Sequence, residues 1–373
     1  MKTISYLDYN ATCPIRPSVI EKVTEVMAEV GNPSSVHAAG RKARAIVEEA
    51  RVQVAALAGC RPRDVMFCGG GTEANNTVLH GSGAKSLIIS EIEHDCVLAA
   101  AKTAGIPVYR IPVTEAGVVE LDALGELLEK AEKPALVSVM LANNEMGAIQ
   151  PVAEVSVIAK EHGAFVHTDA VQAAGKLMLD RTSLGVDYLT LSSHKIGGPQ
   201  GVGAVVLAPT PPLKPLIVGG GQELGRRSGT ENVAGYAGFG VAAFEAMAEL
   251  GEIEKLAVYR DKIEAAIREH SNETVLIGAE AERLPNTSCI AMRGVKGETQ
   301  VMHFDLASIC VSSGSACSSG KVKVSHVLSA MGYEDDVAES SIRVSLGYRT
   351  TEGDIDRFIE AWKSLHDRTL GRK

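Results

Sequence analysis

Lys195 is the residue around which chemistry could be arranged. The stretch Leu191-Ser-Ser-His-Lys-Ile-Gly-Gly-Pro-Gln-Gly-Val-Gly203 follows an apolar run, Tyr188–Leu191, and passes from small polar residues through one lysine into glycines and a proline. That pattern predicts a buried strand delivering a lysine into a tight turn. An amine held there with little water around it favours its neutral form and can act as a nucleophile. Ser192 and His194 flank it and can bind phosphate. A Schiff-base lysine beside phosphate ligands points to pyridoxal phosphate (PLP). A lone lysine in a loop is more often a solvated surface residue, so this reading leans on other constellations.

Phe67-Cys-Gly-Gly-Gly-Thr-Glu-Ala-Asn-Asn76 follows a strand pattern and opens a helix pattern. Its glycines let backbone amides approach an anion, and a helix N-terminus favours negative charge. It lacks the lysine of a nucleotide-binding loop, and alone it is equally a plain turn. In Val166-His-Thr-Asp-Ala-Val-Gln172, Asp169 ends an apolar run. A carboxylate there can hold a pyridine nitrogen protonated, with Gln172 donating to the ring oxygen; the plain alternative is a helix cap. His94, in Ser90-Glu-Ile-Glu-His-Asp95, can stack on a cofactor or move a proton. Asn144, in Leu141-Ala-Asn-Asn-Glu-Met-Gly147, lies where cofactor or substrate can be reached. Arg343, in Ser341-Ile-Arg-Val-Ser-Leu346, suits a substrate carboxylate, or else a surface ion pair. Gly219–Thr230 carries five glycines and two arginines and can close over a phosphate, cross a dimer interface, or be a flexible loop.

Cys317 stands in Ser312-Ser-Gly-Ser-Ala-Cys-Ser-Ser-Gly320. A cysteine in a Gly/Ser loop is expected to be accessible and nucleophilic. The other six (13, 60, 68, 96, 289 and 310) are expected to be mostly small buried hydrophobes, and the absence of any CxxC pair argues against a disulfide framework or structural zinc.

The elements that must position these residues alternate. Apolar runs at 64–68, 86–90, 107–111, 135–141, 164–168, 187–192 and 202–207, mostly separated by helical patterns, predict a mostly parallel seven-stranded sheet flanked by helices. Such sheets bind ligands at the carboxyl ends of their strands, where the polar motifs fall. From about residue 253 the pattern becomes a helix (254–270), strands near 287–293, 309–313 and 341–346, and a last helix opened by a Thr351-x-x-Asp354 capping box. The expected architecture is α/β: a large domain over 13–252, and a smaller α+β domain from 1–12 and 253–373 carrying the cysteine loop. At 373 residues and net charge −9, with no long basic run and no apolar run of spanning length, nucleic acid and membrane are not expected partners. The first residues lack a signal-peptide pattern, so the expected location is cytoplasmic.

Together with Leu7-Asp-Tyr-Asn-Ala-Thr12, Gly31-Asn-Pro-Ser-Ser35, Arg227-Ser-Gly-Thr230 and Leu284-Pro-Asn-Thr287, these motifs resemble the NifS/IscS-type cysteine desulfurases, class-V aminotransferases of PLP fold type I. The Ser-Ser-Gly-Ser-Ala-Cys form looks like that branch rather than the SufS branch. The resemblance implies that Lys195 carries PLP, Asp169 and Gln172 pair with its ring nitrogen and oxygen, and His94 stacks on it. Gly71, Thr72, Ser192 and His194 would hold the phosphate, joined by Thr230 of a second subunit in a homodimer. Asn144 and Arg343 would bind L-cysteine. Cys317 would take its sulfur as a persulfide, releasing alanine, for a sulfur acceptor or iron–sulfur scaffold protein, with no resident metal beyond a cluster in transit at Cys317. Leu224, Met146 and Gln200 depart from the family's commoner residues, and the chain ends soon after its last helix, where IscS-type members carry a scaffold-contacting extension. The competing readings are a selenocysteine lyase or aminotransferase of the same class, and a non-enzymatic sulfur carrier. The nucleophilic cysteine argues against an aminotransferase, and intact Lys195, Asp169 and His94 against the carrier.

Overall fold

The computed structural model describes residues 4–314 and 324–369. The first strand, β1 (Ser5–Tyr6), is followed by helices Pro17–Met27 and Ala38–Leu57. Seven strands then build one sheet: β2 (Val65–Cys68), β3 (Ser86–Ser90), β4 (Val108–Ile111), β5 (Ala135–Ser138), β6 (Phe165–Asp169), β7 (Tyr188–Ser192) and β8 (Gly203–Leu207). Their order is β2-β8-β7-β6-β5-β3-β4, and only β8 runs antiparallel to its neighbours. All seven predicted strands are therefore present in a mostly parallel sheet.

Nearly continuous apolar runs are what a sheet covered on both faces requires. Alternation along each strand divides the core accordingly. Ile88, Val137, Val166 and Leu189 face one layer of helices, while Leu87, Ile89, Leu136 and Tyr188 face the other. Each such side chain taken out of water contributes about 1.5–3 kcal/mol. Helix Val233–Ala248, with nine buried residues, packs on helices Pro17–Met27 and Ala38–Leu57.

A smaller sheet follows: β9 (Val275–Ile277), β10 (Thr287–Ala291), β11 (Ile309–Cys310), β12 (Ser312–Ser313) and β13 (Ser341–Ser345). Four of these form an antiparallel sheet in the order β12-β13-β10-β9, and β11 pairs in parallel with β1. Helices Leu256–His270, Gly297–Leu306 and Glu352–Thr369 cover it through Ile263, Ile267, Phe304, Phe358 and Trp362. The predicted capping box is present: Thr351 N donates to Asp354 Oδ2 at 2.9 Å and Asp354 N to Thr351 Oγ1 at 3.3 Å.

The predicted helix 254–270 is present as Leu256–His270, with a short helix Leu250–Glu254 before it. Two other readings need correction. The loop 219–230 is anchored rather than flexible: Glu223 is buried in a two-pronged pair with Arg51 (2.7 and 2.9 Å) and accepts from Phe67 N at 2.9 Å. Removing one partner of such a buried pair costs about 3–5 kcal/mol. Of the six cysteines described, only Cys68 and Cys289 are buried; Cys13, Cys60, Cys96 and Cys310 are half-buried.

Candidate active site

The carboxyl ends of β3, β6 and β7 open into a cavity of about 470 Å³, within the range of small-molecule sites. It is lined by Gly71, Thr72, His94, Asn144, Asp169, Gln172, Ser192, His194, Lys195 and Arg343. These are ten of the twelve residues singled out in the sequence. Thr230 is exposed and does not line the cavity of its own chain. Cys317 lies outside the described residues.

Lys195 sits on a single turn, Ser193–Ile196, immediately after β7. Gly197 ends that turn at φ 84°, a left-handed conformation in which an added Cβ would meet the Arg16 side chain at 2.8 Å. Lys195 Nζ donates to the carbonyls of Asn10 and of Ala11, the latter at 2.9 Å. Asp169 closes β6 on the neighbouring strand, and no helix follows it, so it is not a helix cap. Its Oδ1 accepts from Val171 N at 2.9 Å and its Oδ2 from Asn75 Nδ2 at 2.6 Å, which fixes the carboxylate plane toward the cavity.

Gly71 opens helix Gly71–Gly81, which has no side-chain cap, so its first amides are available to an anion. A Cβ on Gly71 would press on Val171 at 3.1 Å, so a larger residue would narrow this cradle. Ser192 and His194 stand across from it. His194 Nδ1 lies 3.1 Å from Thr12 Oγ1, and burial, helped by Lys195, brings its imidazole down to about 4. It is therefore neutral and can share a hydrogen bond with a phosphate oxygen.

His94 caps helix Asp95–Thr103 through its Nδ1, which accepts from Cys96 N at 3.2 Å. Burial, with Lys195 adding to it and Asp169 opposing, pushes the imidazole below its ordinary value, leaving a neutral ring on the cavity wall. Glu93, just before it, is fully buried, and burial foremost, then Asp169, raises its carboxyl well above the usual range.

Arg343 lies on β13 and is 2% exposed, so the surface ion pair is ruled out. Its guanidinium donates to Asp8 Oδ1 at 2.8 Å, Ser312 Oγ at 3.2 Å and the Asn144 carbonyl at 3.1 Å. Its buried Nε has no hydrogen bond among the described residues.

Some members of the site were not singled out in the sequence. Asn75 positions Asp169 and accepts from Thr190 Oγ1 at 2.6 Å. The carbonyl of Asn10 receives both Lys195 Nζ and Gln172 Nε2, the second at 3.0 Å. Lys176 is buried, with Nζ donating to the Gln172 carbonyl (2.8 Å) and Oε1 (3.1 Å), which fixes the Gln172 amide with its nitrogen toward Asn10. Burial, and secondarily Lys195, push that ammonium down to about 7. The one available signal was spacing: Asn75 falls one turn after Gly71, on the face turned toward the sheet.

The model of the aminotransferase class-V family matches residues 5–358. The cysteine desulfurase IscS of Dictyoglomus turgidum is 40% identical over 376 residues, covering 98% of this chain and 95% of that protein. An IscS-like cysteine desulfurase of Mycobacterium tuberculosis is 39% identical, covering 96% and 95%. The crystal structure of a NifS-like protein from Rickettsia africae superposes with a TM-score of 0.91 at 36% identity, covering 98% of this chain and all of that one. The chain belongs to the NifS/IscS-type cysteine desulfurases. Members of this class-V family depend on PLP. The desulfurase cavity fits that cofactor on its own observations: a carboxylate turned to its floor, uncapped helix amides at one end, a lysine off a strand end, and a neutral imidazole wall.

Asp169 carries a direct prediction. If its charge holds the ring nitrogen protonated, Asp169→Asn, which keeps one of the two bonds Asp169 accepts from Val171 N and Asn75 Nδ2, loses activity by about 10²–10⁴-fold without unfolding. Cofactor content and circular dichroism should match wild type. Wild-type turnover in the Asn variant would leave Asp169 a purely structural residue.

Proposed function

We propose that this protein converts L-cysteine to L-alanine and leaves the sulfur on Cys317 as a persulfide, for an acceptor in iron–sulfur cluster assembly or other sulfur traffic. The observation that carries the reading is the convergence of Lys195, Asp169, His94, Gln172 and Arg343 on one cavity. Gly71, Thr72, Ser192 and His194 would hold the cofactor phosphate, Asp169 and Gln172 its ring, and His94 its face. When bound, PLP supplies an electron sink for the bond broken at the substrate Cα.

The chain's own groups supply the rest. Arg343 and Asn144 orient the substrate carboxylate. Lys195 Nζ, in reach of the cavity, takes the α-proton. The Cys317 thiolate attacks the substrate sulfur; the Cβ–S bond breaks, its electron pair stays with the carbon skeleton, and that skeleton takes one proton at Cβ, regains one at Cα from Lys195 and leaves as alanine. Cysteine and thiol become alanine and persulfide, with no outside oxidant required.

The large sheet lies within 13–252 and the four-stranded sheet within 253–373, which supports the two-domain division. The glycine-rich loop held by Arg51 exposes Leu224, and with Leu216, Ile217 and Val218 it forms an exposed apolar strip suited to a second copy. A homodimer in which Thr230 completes the partner's phosphate site follows from this reading. No helix of the described residues is long and apolar enough to cross a membrane; a cytoplasmic location is part of the same proposal.

The test is purified protein with L-cysteine and a thiol reductant. Alanine and sulfide should appear in equal amounts, from a species that light scattering sizes as a dimer. Alanine without sulfide, pyruvate as product, strong preference for selenocysteine, or an active monomer would each overturn the corresponding part.

A further inference from the structure

Where helix Leu256–His270 packs on helix Glu352–Thr369, donors gather that the desulfurase reaction does not use. His270 is the last residue of the first helix, and His366 and Asp367 lie near the end of the second. One ligand atom from each lies within 4.8 Å of the other two. His270 Nε2 is 2.7 Å from Asp367 Oδ1, and His366 Nδ1 is 3.5 Å from the same oxygen. That His366 nitrogen is buried and has no hydrogen bond among the described residues.

The rings are fixed in place. The Trp362 indole stacks on His366 with centroids 5.3 Å apart and meets His270 edge-on at 6.0 Å. Trp362 is itself fully buried in the small core, so both imidazoles rest on a rigid floor. Asp367 is the exposed member, its side chain 63% exposed.

We propose that His270, His366 and Asp367 form a binding site for a divalent transition-metal ion of the zinc or nickel class. Two imidazole nitrogens and one carboxylate oxygen are a donor set such ions take, with a water in the fourth position; calcium and magnesium prefer oxygen alone. With metal–ligand bonds of about 2.0–2.2 Å, neighbouring donors in a tetrahedral site stand about 3.3–3.6 Å apart. The His366–Asp367 separation already matches. The His270–Asp367 pair must open by roughly 0.6 Å to reach that spacing, which an exposed carboxylate does without repacking. A plain His270–Asp367 hydrogen bond accounts for two of the three groups and leaves the buried His366 nitrogen only its 3.5 Å approach to that carboxylate, short of a hydrogen bond; an ion would engage all three. Because the rings are already ordered, little conformational freedom is lost on binding. The ion would fasten together the ends of the two long helices that cover the small sheet.

The experiment uses the full-length chain with bound cofactor in a Cys317→Ser background, which removes the one thiol expected to compete for soft metals. Chelator-stripped protein is titrated with zinc or nickel ion alone by calorimetry, and thermal unfolding is followed with and without metal. The expected result is one equivalent bound and a midpoint raised by a few degrees. His366→Gln and His270→Gln should each weaken binding by at least about tenfold and abolish the rise in midpoint. Asp367→Asn, at an exposed position, gives the same answer should a histidine variant fold poorly. Unchanged stoichiometry and affinity in all three variants, or no metal uptake by the parent, would overturn the site.

Discussion

Lys195→Ala protein is expected to be colourless and to release alanine from L-cysteine at least about 10⁴-fold more slowly than wild type. Lys195 serves twice in the proposed sequence, as the covalent anchor of PLP and as the base at Cα, so no single remaining group replaces it. The structure sharpens the test by offering a rival. Lys176 is buried and pushed down to about 7, so it offers a neutral amine near physiological pH. Its Nζ, however, is tied to the two Gln172 oxygens, and it does not line the cavity, whereas Lys195 does. Borohydride reduction of wild-type protein followed by peptide mapping should place the reduced cofactor on Lys195. An adduct on Lys176 would refute the assignment.

Cys317→Ser is expected to bind PLP normally and to lose alanine formation by at least about 10³-fold, the scale on which enzymes lose turnover with their nucleophile. Here too there is a rival. Cys96 lines the same cavity and is half-buried. Burial, then the nearby Asp169 charge, raises its thiol to about 12, and it accepts from Asn75 Nδ2 at 3.2 Å. At neutral pH Cys96 is a thiol rather than a thiolate, and a thiol attacks sulfur poorly. Cys13, Cys60 and Cys68 are likewise raised to about 11, 12 and 12 by burial. Mass spectrometry of wild-type protein briefly exposed to L-cysteine should therefore find one added sulfur, on the peptide containing Cys317. Its appearance on Cys96, or desulfurase activity surviving in the Ser variant, would remove Cys317 from its role.

The residues easiest to read from sequence were those whose local pattern and tertiary place agree. The runs around Ile88, Val137 and Leu189 are too apolar and too short for surface helices, and each ends in polar residues, so both the sheet and the rim of the cavity were legible. Asn75 and Lys176 were not, because nothing local separates an inward-facing polar residue from an outward-facing one; only the approach of Asp169 and Gln172 does. The short strand Val275–Ile277 escaped notice because three residues carry no alternation, and its pairing with Cys289–Ala291 alone makes it a strand. The half-burial of Cys60 and Cys310 went the same way: apolar neighbours in sequence did not become apolar neighbours in space on every side.

The pairing of β1 with β11 has a consequence for the order of assembly. Ser5 lies opposite Ile309, and Asn10 bonds to Thr287 and Ser345 while its carbonyl receives Lys195. A chain growing from its N-terminus on the ribosome therefore carries Ser5, Leu7 and Tyr9 without their backbone partners Ser308, Cys310 and Ser345 until more than four-fifths of the polypeptide has emerged. The seven-stranded sheet, complete by Leu207, can form long before that, and with it the contacts of Asn10 to Asn144, Gln172 and Lys195. Competence for catalysis thus arrives late, when Arg343 reaches Asp8 as the last segments of the chain capture the first.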